Sequence, residues 1–198
     1  MPERDLTRVA ATSEDPPHVA AAPVPPESGW LGRAVDALGL VFAFCFLLST
    51  AIILWEIVAR YVFDAPTVWV HETTTFLCGI SFIFGGLYAL SHDRHIRVVL
   101  IYDAVRGRAR RALDVVLSAV GLVTMIFFAF AAWDNAQKAL WAPTGEVRLQ
   151  TSGSAWNPPY PALVKLFLFV VIVVMAVQFV VLILNYARGR GDAPDEDR

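Results

Sequence analysis

Charge is scarce in this sequence, and it is missing in blocks. Only 17% of the 198 residues are Asp, Glu, Lys or Arg, against about 25% in an ordinary soluble domain. Ala37–Trp55, Thr73–Ser91 and Val115–Trp133 each run 19 residues without a formal charge, and Leu166–Ala187 runs 22. None of these runs holds a proline. Polar helices that would bury four such runs inside a soluble core are missing too. The runs also lack the alternation of barrel strands. There are two cysteines, Cys45 and Cys78, both inside apolar runs; this excludes a disulfide framework, and they read as small packing residues.

What is present is lipid-compatible length. At 1.5 Å per residue each run spans about 30 Å, the hydrocarbon thickness of a bilayer. In Leu166–Leu184, 16 of 19 residues are Leu, Ile, Phe or Val. Insertion of that segment is favourable by roughly 5–10 kcal/mol, which its one strongly polar residue, Gln178, does not cancel. The fold class is therefore all-α integral membrane, with four transmembrane helices over about 36–59, 69–91, 112–134 and 162–187.

Arginine and lysine orient the spans. Arg4, Arg8 and Arg33, the six arginines between Arg94 and Arg111, and Arg188, Arg190 and Arg198 give twelve basic residues on one side. Arg60, Lys138, Arg148 and Lys165 are the four on the other. That asymmetry predicts cytoplasmic N and C termini. The net charge of −2 gives no argument for nucleic acid.

Residues 1–29 are rich in Pro and Ala and read as a disordered cytoplasmic tail. No apolar core precedes residue 37, so the first span is expected to act as an uncleaved anchor. Residues 30–187 form the transmembrane domain and 188–198 a charged cytoplasmic tail. Between spans two and three, Ile96, Val99 and Leu100 beside Arg94 and Arg97 suggest a short interfacial segment against anionic lipid. The link 134–165 carries Trp141, Trp156 and Tyr160, suited to a membrane boundary, and prolines at 158, 159 and 161 that delay the fourth span. A link of this length is expected to cover part of the extracytoplasmic face or to meet a partner.

Transport paths normally place ionisable groups or broken helices near the membrane midplane. Here Asp36, Glu56, Glu72, Asp114, Asp134 and Lys165 all fall at span ends. The histidines are His18, His71, His92 and His95, and spans one, three and four hold none; paired haem ligation across helices is therefore not supported. No nucleophile–base pair or phosphate loop is seen. No catalytic residue, cofactor or metal site is expected. What the spans do offer is packing surface. Ser81, Gly85 and Ala89 recur every four residues in span two, with notches at Gly79 and Gly86, a stripe that admits another helix within the domain or from a partner chain.

The link between spans one and two reads RYVFDAPTVWVHE. Arg60 complements the end of a helix, Pro66 forces a turn, Trp69 anchors at the interface, and Glu72 is expected in the first turn of span two. An ion pair between Glu72 and Arg60 across the turn is one expectation. Arg60, Phe63, Pro66, Trp69 and Glu72 make the pattern R-x-x-F-x-x-P-x-x-W-x-x-E, followed after one span by His95, Ile96, Arg97 and Val98. Over about residues 34–187 this resembles the small permease subunit of TRAP (tripartite ATP-independent periplasmic) transporters, the DctQ-like family. Trp156–Pro161, with Lys165 following, is similar to a subgroup with an extended loop. Val99 departs from a motif that often has Asp there.

The resemblance implies a non-enzymatic scaffold subunit in the bacterial inner membrane. Its partners would be a large TRAP membrane subunit, a transient periplasmic substrate-binding protein and membrane lipid. The large subunit would carry the substrate and sodium sites for organic acid uptake by sodium symport. Arg60, Phe63, Pro66, Trp69, Glu72, His95 and Arg97 would then shape the scaffold. A membrane anchor of a redox enzyme and a small stand-alone exporter are the alternative readings.

Overall fold

The computed structural model describes residues 28–92, 108–142 and 144–188. Four helices are described: α1 (Gly29–Val62), α2 (Val68–Ser91), α3 (Arg108–Leu140) and α4 (Tyr160–Ala187). All four are long and apolar enough to cross a membrane, as the uncharged runs require. Residues 1–27 and 189–198 of the expected tails, and the interfacial segment expected between spans two and three, lie outside the described residues; Ser28 and Gly29, expected in the first tail, are a buried N-cap and the first residue of α1.

The helices overrun the spans read from hydropathy. Helix α1 continues to Val62 and α3 to Leu140, because charged residues at a span end do not stop a helix. Instead Lys138 pairs with Asp134 one turn earlier, at 2.5 Å, a spacing that favours continuation. The link before α4 is correspondingly shorter than expected. It opens with a tight hairpin in which Trp141 and Val147 form an antiparallel bridge, turning through Gly145 at φ +85°. Helix α4 then starts behind Pro159, with Pro161 in its first turn, where a missing N–H leaves nothing unsatisfied.

Helix α1 packs chiefly on α2, α2 on α4, and α4 on α3. The spatial order is thus α1–α2–α4–α3, an open layer rather than a closed bundle. Its centre is the junction of α1, α2 and α4, where Val35, Phe84, Leu87, Val171 and Phe179 are buried. There Phe42 stacks on Phe84 with ring centroids 4.0 Å apart, and lies 5.9 Å from Phe167 of α4. Lipid tails are as apolar as these rings, so close contact rather than exclusion of water holds the helices together. Two glycines make that contact possible. A Cβ at Gly39 would lie 2.7 Å from the Tyr88 ring, and one at Gly121 would lie 2.5 Å from Phe179.

The rest of each helix is bare. The most apolar stretch of α1 is only 6% buried, and Phe44, Leu47, Phe127 and Phe130 stand more than half exposed. Surfaces of this kind belong against lipid or another membrane protein.

Candidate functional site

The turn between α1 and α2 is built by Glu56. Its carboxylate accepts from the Thr67 backbone N–H, with oxygens at 3.2 and 3.3 Å, and from the Thr67 hydroxyl. It also takes the Arg60 guanidinium at 2.6 Å. Thr67 is the N-cap of α2, in extended conformation and without a capping bond of its own side chain to the helix. A carboxylate from the preceding helix therefore accepts the N-cap residue's own N–H, the donor that the N3 acid of a capping box normally takes. Between the helices, Asp64 takes a left-handed conformation at φ 53°, and the Ala65 N–H donates to Ala59 O at 3.0 Å. Asp tolerates that conformation better than most residues, and Pro66 then holds Ala65 extended.

This geometry corrects two expectations. The Arg60–Glu72 pair is not formed, because Glu56, one turn before Arg60 on the same helix, reaches the guanidinium first. Glu72 is the fifth residue of α2 rather than part of its first turn, and its Oε2 is buried without a hydrogen-bond donor. Phe63 is exposed, Pro66 is exposed, and Trp69 is 38% exposed. Beneath the turn, a groove of about 530 Å³ is floored by Ile53, Ile57 and Val70, with Arg60 and His71 on its lining.

The small-residue stripe of α2 is divided. Ser81 is buried, Gly85 is exposed with open space where a Cβ would go, and Ala89 is half-buried. A four-residue step drifts around a 3.6-residue helix, so the three positions do not share one neighbour. Within the chain, the close approaches occur at Gly39 and Gly121 instead.

At the opposite end of α1 and α2 sits a polar knot. The Ser28 hydroxyl donates to Ser91 O, and the Gln178 amide donates to Ser28 O at 3.2 Å. Tyr88 donates its phenol to Asp36 Oδ1 at 3.3 Å, and His92 Nε2 lies 3.1 Å from the same oxygen. His92 Nδ1 is 3.1 Å from both Tyr88 O and Ser91 Oγ. Gln178 is fully buried, although it is the one strongly polar residue between Leu166 and Leu184. Its role was legible only as that anomaly. His95 and Arg97 lie outside the described residues.

The α3–α4 link is tied to the turn end of the layer. Tyr160 stacks on Phe76 of α2 at 4.4 Å, and Trp156 meets Tyr160 edge-on at 5.5 Å. Gly153 N–H donates to the Asn157 side-chain carbonyl at 3.0 Å, and Lys165 donates to Gln150 at 2.7 Å. Between α3 and α4 a second groove, about 420 Å³, is lined by apolar residues including Leu122, Phe130, Trp133 and Phe169.

Chemically, these clusters fasten helices to one another. His71 and His92 lie at opposite ends of α2, about 30 Å apart along the axis at 1.5 Å per residue, too far to hold one haem. Among the described residues, no group of three His, Cys, Asp or Glu side chains is placed to hold a metal. Residues 49–189, well over half of the chain, match the family described as "Tripartite ATP-independent periplasmic transporters, DctQ component". A search of curated proteins gave no match.

Proposed function

The chain belongs to the DctQ component family of tripartite ATP-independent periplasmic transporters, and from that premise we propose that it braces the large membrane subunit of such a transporter while that subunit carries the substrate. As the small subunit, it serves sodium-gradient-driven uptake of an organic acid, delivered by a periplasmic binding protein, across the bacterial inner membrane. Both termini face the cytoplasm, following the arginine asymmetry. The α1–α2 turn and the α3–α4 link then face the periplasm.

The observation that carries this reading is the combination of bare apolar helix surface with uncharged span centres. An elevator-like transport domain needs a rigid neighbour of large contact area and makes no demand on that neighbour for substrate chemistry. An open layer of four helices, fastened at both ends by polar contacts, fits that requirement. Among the described residues, ionisable side chains, which mark solute paths inside membranes, flank the uncharged runs and do not interrupt them.

The test is uptake of a carboxylate by cells carrying the whole transporter with and without this chain. Loss of uptake, with the large subunit still inserted, supports the scaffold role. Uptake at the normal rate without the chain contradicts it.

A further inference from the structure

We propose that the groove beneath the α1–α2 turn is a phospholipid site, which holds a lipid phosphate at Arg60 and His71 and an acyl chain along its floor. The proposal goes beyond the scaffold reading and does not depend on it. Two facing stripes build the groove. On α1 it is lined by Ile53, Glu56, Ile57 and Arg60, and on α2 by His71, Thr74, Thr75 and Cys78. Both sets follow the spacing i, i+3, i+4, i+7, which keeps side chains on one face of a helix.

Each wall runs seven residues down from the turn, about 10 Å. About one turn deeper, Ser49 on α1 and Ser81 on α2 are buried, and below them Phe42 stacks on Phe84. The groove therefore occupies only the half of a roughly 30 Å hydrocarbon core that lies nearest the turn. That is the reach of a lipid tail from one leaflet. A transmembrane helix of a partner would run on past the point where the groove ends.

Unused polar capacity is confined to the mouth. Thr74 and Thr75 spend their hydroxyls on their own helix, donating to Val70 O at 2.9 Å and His71 O at 2.8 Å. The oxygens of Glu56 are turned to Thr67 and Arg60. Arg60 is different. A guanidinium has five N–H donors, and among the described residues its one polar partner is Glu56. His71 is exposed, and its ring makes no hydrogen bond among the described residues. A guanidinium fork matches the oxygens of a phosphate, and the imidazole can add a further N–H.

Donors at the membrane boundary above a floor of Ile53, Ile57 and Val70 reproduce the polarity of a phospholipid, phosphate above and hydrocarbon below. Glu56 offsets the charge of Arg60, so directed N–H donors rather than net charge select the phosphate.

The experiment is native mass spectrometry of the full chain in mild detergent with added dioleoyl phosphatidylglycerol, alongside thermal unfolding of each variant. One lipid is expected to stay bound to the wild-type chain. Arg60→Gln, which removes the donors, and Ile57→Trp, which fills the floor, should each lower its retention about ten-fold. Thr75→Trp blocks the facing wall, so a folding failure of one filled variant leaves the other to decide. Leu54→Trp, on exposed surface outside the groove, should leave retention unchanged. Dioleoylglycerol, with the same chains and no phosphate, should be held about ten-fold more weakly, and glycerol phosphate should not displace the lipid. Equal retention in all variants overturns the proposal, because the lipid is then ordinary annulus. Equal retention of dioleoylglycerol, or displacement by glycerol phosphate, overturns it as well. If lipid retention is unchanged while the groove variants lose the large subunit on co-purification, the groove seats a protein and the proposal fails.

Discussion

Glu56 is the residue on which the α1–α2 turn depends. It satisfies the backbone N–H and the hydroxyl of Thr67 and fixes Arg60, so it joins the end of one helix to the N-cap of the next. Glu56→Ala should lower the thermal midpoint of the purified chain more than Arg60→Gln does. The Arg60 side chain is half-exposed, and exposed pairs contribute little; losing the carboxylate leaves two donors of Thr67 without their acceptor. Equal effects in thermal unfolding would contradict this assignment. Gly121 offers a second test at the same scale. Its Cβ would meet Phe179 at 2.5 Å, so Gly121→Ala should destabilise by about 1–3 kcal/mol through overpacking. Gly85→Ala, facing open space, should cost nothing measurable in the same unfolding assay.

At the scale of elements, the α1–α2 and α3–α4 pairs are each joined by a link at the same end of the layer and meet at the α2–α4 seam. Phe84 lies at the meeting point of α1, α2 and α4. Phe84→Ala should cost about 3–5 kcal/mol, the range for a buried aromatic truncated without collapse of the cavity, read by chemical or thermal unfolding in detergent. The existence of the helices was plain from sequence, because uncharged runs of 19 or more residues have few other structures open to them in lipid. Their ends were not, since Asp134 and Lys138 look like a boundary and are a helix-continuing pair. Nor was the order α1–α2–α4–α3 legible. Four helices apolar on nearly every side carry no narrow stripe that names a neighbour. The motif Arg60 to Glu72 identified the right turn, yet its ion pair belongs to Glu56. The Glu56–Arg60 spacing of four residues was visible, but the reach of Glu56 to Thr67 depends on the left-handed turn at Asp64, which the letters do not announce.

For the whole molecule, the central point is that polar chemistry sits at the two ends of the layer and contact surface lies between them. The end holding Glu56, Arg60 and Thr67 and the end holding Asp36, His92, Ser28 and Gln178 clamp the helices. The membrane-facing middle offers Phe, Leu and Val to whatever lies alongside. The most direct measurement is sodium-gradient-driven carboxylate uptake, with binding protein supplied, in three sets of proteoliposomes: this chain alone, the large subunit alone, and both together. Uptake should appear only where both are present. Accumulation in liposomes holding this chain alone, or full activity from the large subunit by itself, would contradict the account.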